Sequence, residues 1–229
     1  MTTLISFAIC SVALFAAPVE GRWEADIAQF EAADAKSPPP HDGVVFVGSS
    51  SIRLWNTNKA FPDLPTVNRG FGGSQMADSV KFADRIVTKH EPRVVVVFAG
   101  GNDIAAGKTP EQVAEDFKAL TARIHAKLPK TKIYFVTLFP TVLRQKMDDK
   151  FREANRLIEA YVKTDDRLGY IDTRAKMTAE DGGPMPKLLR GDGLHMNDDG
   201  YAIWNEMVGP ILRAEFKEKT ATPAATEKK

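Results

Sequence analysis

Short apolar runs alternate with longer amphipathic stretches along most of the chain. The most regular run, Arg93–Ala99, holds four consecutive valines and a phenylalanine, so neither of its faces is polar. Runs that are apolar on both faces are typical of parallel strands that helices cover on each side. The runs predict five strands: Val44–Val47, Thr66–Asn68, Arg93–Ala99, Lys132–Leu138 and Tyr170–Asp172.

The stretches around these runs repeat apolar residues at helical spacing. In the first of them Trp23, Ile27 and Phe30 lie on one face, and the prolines from Pro38 onward end the helix. Further helices are predicted at Asp78–Lys89, Pro110–Leu128, Asp148–Val162 and from Asp198 to Phe216. The alternation predicts the fold class α/β, a flavodoxin-like three-layer α/β/α sandwich with a five-stranded parallel sheet.

The two ends of the chain depart from this pattern. Leu4–Ala17 is continuously apolar, too short to span a bilayer but typical of a signal peptide, although no Lys or Arg precedes it. We therefore predict a signal peptide at 1–21 and a periplasmic or secreted protein with no stable membrane anchor after its removal; a buried N-terminal helix is the alternative. Residues 22–216 are predicted to form the folded domain, and the polar, aperiodic residues 217–229 a disordered tail.

Charge and residue types exclude several function classes. The net charge is +1 and the basic residues are scattered, which argues against a nucleic-acid partner. The single cysteine, Cys10, lies in the predicted signal peptide and excludes a disulfide framework. A dinucleotide loop would need glycine where Gln75 stands, and the segment Asp192–Asp199 has neither paired histidines nor a calcium-loop pattern. No cofactor and no metal site are predicted.

Polar and glycine-rich segments follow the predicted strands. Ser49–Ser51 follow the first strand, Arg69–Ser74 the second and Gly100–Asp103 the third, and the fifth leads through a long loop to Asp192–His195. In open α/β sheets ligands bind at the carboxyl ends of the strands, where the strand order reverses. We therefore expect a hydroxyl, glycines, an amide and an imidazole to meet at one edge of the sheet.

These residue types are those that serine acyl transfer needs. A serine hydroxyl attacks only when a base takes its proton, and the base needs a third group to fix its tautomer. His195 is the candidate base, and Asp192 is close enough in sequence to reach its Nδ1. The backbone N–H of Gly73 and the side-chain amide of Asn102 are candidate donors to the oxyanion of the tetrahedral intermediate.

Each of these segments also has a structural interpretation. The serines could cap a helix, and Asp192–His195 could be a turn followed by a helix cap. The glycines before Ser74 could form an ordinary loop, and Asn102 could cap the next helix. The other histidines, His41, His90 and His125, are interpreted as structural or solvated because they lie in a turn, at a helix end and on a helix.

Taken in order, four segments are similar to the four signature blocks of the SGNH hydrolases, also called GDSL-type esterases and lipases. The segments are FVGSSSI, VNRGFGGS, GGND and DGLH. The resemblance covers Val44–Leu212 and identifies 22–216 as an SGNH-hydrolase-like catalytic domain. It implies that Ser50 is the nucleophile, that Ser50, Gly73 and Asn102 supply the oxyanion donors, that His195 is the base and that Asp192 orients it.

One departure from the family pattern concerns the first block, where GSS replaces GDS. Ser49 occupies the position of the family's aspartate, so Ser49, Ser50 and Ser51 all offer a hydroxyl. Ser50 is favoured because it stands two residues after Gly48, and its neighbours are expected to satisfy the turn. The nucleophile motif of α/β-hydrolases does not fit, because Ile52 occupies the place of its last glycine.

The expected function is a serine esterase that hydrolyses a carboxylic ester through an acyl-enzyme at Ser50. The resemblance allows a small-molecule, carbohydrate or lipid ester, and the absence of a large insertion favours short acyl groups such as acetyl. The alternative is a non-catalytic glycan- or lipid-binding module on the same fold.

Overall fold

A computed structural model of the chain describes residues 21–217. The predicted signal peptide and the predicted tail lie outside the described residues, apart from Gly21 and Lys217. Five parallel strands form one sheet in the order β2-β1-β3-β4-β5. The strands are β1 Val44–Gly48, β2 Thr66–Gly70, β3 Val94–Phe98, β4 Lys132–Val136 and β5 Leu168–Ile171.

Each strand differs from its predicted bounds by one or two residues at one or both ends, and strand pairing explains the additional residues of β2 and β5. β2 continues beyond Asn68 because Arg69 and Gly70 pair in register with the last two residues of β1. β5 begins at Leu168, which pairs with Ile133 of β4. In both cases pairing with a neighbouring strand, which is a tertiary contact, sets the end of the element.

The longer helices lie where the periodicity predicts them, and shorter ones occur in the connections. α6 begins with Pro110 behind a capping box of Thr109 and Gln112, an arrangement that satisfies backbone N–H groups at the helix start. The helices are α1 Glu24–Lys36, α2 Ser50–Arg53, α3 Thr57–Ala60, α4 Met76–Ile86, α5 Gly101–Ala105, α6 Pro110–His125, α7 Asp148–Val162, α8 Arg174–Met177 and α9 Asp198–Lys217. Between Glu24 and Lys217, 3₁₀ helices lie at Thr88–His90, Val142–Met147 and Pro186–Leu188.

Helices cover both faces of the sheet, which confirms the predicted α/β class. On one face α1, α4, α6 and α7 pack side by side, and Phe117 of α6 contacts Phe135 of β4 with ring centroids 5.3 Å apart. On the other face Trp204 of α9, fully buried, lies edge-on to Phe98 of β3 at 4.8 Å. Within residues 21–217, no helix has the length and hydropathy that a bilayer crossing requires.

The strand order reverses between β1 and β3. From β1 the chain moves outward to β2 and then returns past β1 to β3, after which every strand adds in the other direction. At such a switch point the two connections leave on opposite sides and open a crevice at the carboxyl ends of the strands. The crevice lies where Gly48 and Phe98, the last residues of the two strands, stand in register.

His90 is a buried histidine on the face of the sheet that carries α1 and α4, away from this crevice. It is 4% exposed, and Arg69 Nε donates a hydrogen bond to His90 Nε2 at 3.3 Å. Burial, with a smaller contribution from the charge of Arg69, lowers the pKa of His90 from 6.5 to about 4. The folded protein therefore holds this imidazole neutral at pH values where the unfolded chain protonates it.

The expected consequence is a loss of stability in mild acid. As the pH falls from 6.5 to about 4, only the unfolded state takes up this proton, so the free energy of unfolding decreases by up to roughly 3 kcal/mol and then levels off. Urea denaturation across this range should show a steeper decrease for the native protein than for His90→Gln, whose amide does not titrate. His41→Gln removes an exposed imidazole and should keep the native slope. Equal slopes for the native protein and His90→Gln would contradict the assignment.

Candidate active site

The serine segment forms a turn at the end of β1. The φ of Gly48 is +144°, a value that residues with a side chain rarely adopt, and a Cβ there would lie 2.0 Å from the carbonyl oxygen of Phe98. Only glycine fits between the two strands at this point. Ser49 donates its backbone N–H to the same oxygen at 3.1 Å. This turn places Ser50 at the first position of α2, above the carboxyl end of the sheet.

Ser50, His195 and Asp192 form a chain of hydrogen bonds. Ser50 Oγ lies 2.9 Å from His195 Nε2, and His195 Nδ1 lies 2.7 Å from Asp192 Oδ2. With the proton on Nδ1, the imidazole donates to the carboxylate and its Nε2 accepts the serine hydroxyl. The arrangement allows the imidazole to take the serine proton while the carboxylate stabilises the positive charge that develops.

The Asp192 carboxylate is held by its own loop. Its Oδ1 accepts the backbone N–H groups of Leu194 and His195, both at 2.9 Å. The hydrogen bond from the imidazole, followed by these two backbone bonds, lowers the pKa of Asp192 well below its usual range. Gly193 adopts a φ of +65° in this loop, and a Cβ there would lie 3.2 Å from the Val142 side chain. The carboxylate therefore stays ionised although the side chain is about half exposed.

Asn102 joins the connections that follow β2 and β3. Its Nδ2 donates to the carbonyl oxygen of Ser74 at 2.8 Å. The Ser74 hydroxyl in turn lies 3.2 Å from the carbonyl oxygen of Gly48, at the end of β1. On the opposite side of the amide, Arg144 Nη2 donates to Asn102 Oδ1 at 2.6 Å. Because the guanidinium can only donate, this contact fixes which end of the amide carries the N–H groups.

Gly73 lies at the surface of the same loop cluster, with a φ of +78°. It makes no hydrogen bond to Ser50, His195 or Asn102. Its neighbour in the chain, Ser74, accepts the hydrogen bond from Asn102. The backbone N–H groups of Gly73 and Ser50 donate to no acceptor within residues 21–217. Ser50 lines the pocket described next, whereas Gly73 is not among its lining residues.

A pocket beside Ser50 and His195 contains about 460 Å³ of empty space, part of it open to solvent. Its apolar lining comes from the side chains of Phe98, Leu138, Phe139, Phe151 and Leu194. Its polar lining includes Asn102 and two residues that no sequence motif indicated, Thr141 and Arg144. Both residues lie in the connection that follows β4, and this connection contains no glycine-rich segment and no family signature segment.

The neighbouring serines and the other histidines make different contacts. The prediction that the hydroxyls of Ser49 and Ser51 satisfy the turn is wrong: no side chain caps α2, and backbone groups of Ser49 make the turn's hydrogen bonds instead. The Ser51 carbonyl accepts the Tyr201 hydroxyl at 2.8 Å. His41 is exposed and His125 Nε2 lies 3.0 Å from a backbone carbonyl. His195 is the one histidine of the four that lines the pocket.

Residues that could bind a metal do not gather near this pocket or elsewhere in the described part of the chain. Within residues 21–217, no group of three His, Cys, Asp or Glu side chains is arranged to hold an ion.

Comparisons with known proteins agree with this architecture. The chain is 27% identical to the human platelet-activating factor acetylhydrolase IB subunit alpha1 over 201 residues, which cover 85% of this chain and 81% of that protein. A GDSL-like lipase from Bacteroides thetaiotaomicron superimposes with a TM-score of 0.71 at 20% identity, over 83% of this chain and 98% of that one. A carbohydrate esterase family 3 protein from Talaromyces cellulolyticus superimposes with a TM-score of 0.62 at 19% identity, over 76% and 98% of the two chains.

A model of the GDSL-like Lipase/Acylhydrolase family matches residues 53–203, more than half of the chain. The matched range contains Gly73, Asn102, Asp192 and His195 and begins just after Ser50, so the position of Ser50 rests on the turn geometry and on its contact with the imidazole. The chain belongs to the GDSL-like lipase/acylhydrolase family and is a carboxylic ester hydrolase.

Proposed function

We propose that this protein hydrolyses esters of short acyl groups, acetyl first among them, through an acyl-enzyme on Ser50. The observation that carries the proposal is the hydrogen-bonded chain from Ser50 Oγ through the His195 imidazole to the Asp192 carboxylate.

Acylation begins when Ser50 Oγ attacks the ester carbonyl carbon and His195 Nε2 takes its proton. The tetrahedral intermediate then collapses, the bond to the alcohol oxygen breaks, and the imidazolium protonates the departing alcohol. A water molecule repeats the sequence on the acyl-enzyme, with His195 as its base, and releases the acid. Asp192 stays ionised throughout and stabilises the imidazolium in both steps.

The proposal assigns three donors to the negative charge on the carbonyl oxygen. Two are the unpaired backbone N–H groups of Ser50 and Gly73, and the third is the amide of Asn102. The first amide hydrogen of Asn102 is held by Ser74, and the second remains free for the oxyanion. Donors that are fixed before the reaction stabilise the transition state without having to reorganise, and each contributes roughly 3–4 kcal/mol.

The size and lining of the pocket support a short acyl group. Its 460 Å³ include open solvent, so the enclosed part is smaller than this figure. Three buried aromatic side chains, Phe98, Phe139 and Phe151, contribute to its lining. A relative named as an acetylhydrolase and a structural neighbour named as a carbohydrate esterase are consistent with small acyl groups on different alcohols.

A panel of neutral p-nitrophenyl esters of increasing acyl length tests this proposal. We expect kcat/KM to be highest for the acetate and to decrease from butyrate to octanoate, because the enclosed part of the pocket is small. A kcat/KM that rises with chain length would contradict the short-acyl assignment. Absence of turnover with every ester, together with no labelling of Ser50 by a fluorophosphonate, would instead favour the non-catalytic binding module.

A further inference from the structure

Arg144 is a partly buried cation in the lining of the active-site pocket. It lies in the 3₁₀ helix Val142–Met147, and its one hydrogen bond within residues 21–217 is the one from Nη2 to Asn102 Oδ1. Gly101 gives it room, since a Cβ there would lie 3.0 Å from Arg144 Nη1. A guanidinium has five N–H donors, so the contact with Asn102 uses a small part of its capacity.

Among the described residues, no carboxylate balances the charge of Arg144. The arginine side chains with the lowest exposures given by the ion pairs of the described residues are all paired with an aspartate: Arg69 with Asp34, Arg93 with Asp42 and Arg174 with Asp148. Arg144 forms no ion pair within residues 21–217, and burial alone lowers its pKa. A buried charge without a partner is unfavourable unless an opposite charge arrives to compensate it.

Thr141 provides a second unsatisfied group in the same pocket. Its side chain is buried at 6% exposure, and Oγ1 has no hydrogen-bond partner among the described residues. A turn connects it to Arg144, because the backbone N–H of Arg144 donates to the Thr141 carbonyl at 3.0 Å. Buried hydroxyls in native proteins normally have a hydrogen-bond partner. A buried hydroxyl without one in a substrate pocket therefore indicates that the ligand supplies the partner.

We propose that Arg144 and Thr141 form a subsite for a negatively charged group, a carboxylate or a phosphate, that the natural ester carries close to its scissile bond. The inference rests on the proposed function, because it assigns the group to the substrate that Ser50 attacks. A guanidinium and a hydroxyl can both donate hydrogen bonds to the oxygens of such an anion. Hydrogen bonds between a guanidinium and an anion are charge-assisted and are stronger than those between neutral groups. The substrate class is then an anionic short-chain ester rather than a neutral one.

The anion can belong to either side of the ester, and two matched pairs of substrates distinguish the sides. On the acyl side, p-nitrophenyl hemisuccinate is compared with p-nitrophenyl butyrate, which has the same acyl length without the carboxylate. On the alcohol side, acetylglycerol phosphate is compared with acetylglycerol, and released acetate is measured. Spontaneous hydrolysis is subtracted in both pairs. The measured quantity is the ratio of kcat/KM for the anionic ester to that for the neutral ester.

We expect the native protein to favour the anionic member of one pair by about tenfold or more. Arg144→Met should bring that ratio close to one, and Thr141→Val, which keeps the volume, should lower it in part. Because Arg144 also contacts Asn102, Arg144→Met will lower kcat/KM for all esters. The ratio of the anionic to the neutral ester cancels this loss, since it affects both members of a pair. Arg152→Met, which deletes an exposed arginine of α7 and the same charge, should keep the native ratio.

Two results would overturn the proposal: no preference for the anionic member in either pair, or a preference that Arg144→Met leaves unchanged. Circular dichroism and the melting temperature show whether each variant is folded. The proposed function is judged separately, by Ser50-dependent turnover of the neutral esters. If these esters are hydrolysed and the anionic ones are not preferred, only the subsite is wrong.

Discussion

Ser50→Ala should lower kcat/KM for p-nitrophenyl acetate by about 10⁴-fold or more, because it removes the atom that forms the acyl-enzyme. The remaining turnover would come from water attacking a carbonyl that the oxyanion donors still hold. The fold should be unaffected, since Ser50 Oγ bonds only to His195 within the described residues. Steady-state kinetics on protein purified apart from any native esterase measures the loss.

The neighbouring hydroxyl provides the matched control for this experiment. Ser51→Ala removes a hydroxyl one residue away and leaves the Ser51 carbonyl, which binds Tyr201, in place. We expect Ser51→Ala to keep most of the activity, and a fluorophosphonate to label the native protein and Ser51→Ala but not Ser50→Ala. Mass spectrometry of the labelled peptide identifies the residue. Near-native turnover of Ser50→Ala, or a label on Ser51, would show that the nucleophile is assigned to the wrong serine.

His195→Ala should cost about as much as Ser50→Ala, again roughly 10⁴-fold or more in kcat/KM, because an unactivated hydroxyl does not attack an ester at a useful rate. The two residues act as a unit, so the double variant should be no slower than either single variant. The loss should fall mainly on kcat, since the imidazole acts on the proton of the transition state rather than on ground-state binding. Single and double variants are compared on the same ester.

His41 is the control for the histidine substitution. It is an exposed histidine whose Nδ1 lies 3.5 Å from a carboxylate oxygen of Glu91, and it is not among the residues that line the pocket. His41→Ala should leave kcat and KM unchanged. If the losses of Ser50→Ala and His195→Ala multiply in the double variant, the two side chains act independently and the hydrogen bond between them has no part in catalysis.

The larger elements of the fold could be predicted from the sequence because their signals are local. α7 begins and ends at the predicted residues, Asp148 and Val162, since its apolar face repeats over several turns. The four-residue helices Ser50–Arg53 and Arg174–Met177 were not predicted, because one turn of helix contains no period. The helix predicted to run from Asp78 begins earlier, at Met76, where Gln75 and Asp78 form a capping box.

The residues of the candidate site likewise fall into those whose contacts the local sequence predicts and those whose contacts depend on the tertiary structure. Asp192 and His195 are three residues apart, so their contact follows from one loop and could be anticipated. Ser50 and His195 are 145 residues apart, and their approach to 2.9 Å depends on the sheet that places both connections at one edge. Thr141 and Arg144 belong to no motif, and nothing in the local sequence distinguishes this arginine from the exposed ones.

The sequence by itself determined the alternation of strands and helices, the glycine turn after β1 and the residue types of a serine hydrolase, because each depends on neighbours along the chain. Only the tertiary structure decided that, among residues 21–217, the partly buried Arg144 has no carboxylate partner and the buried Thr141 hydroxyl has no hydrogen-bond partner. Burial and charge compensation are sums over every atom that surrounds a group in space. They therefore become defined only when strands and helices from distant parts of the chain have packed together.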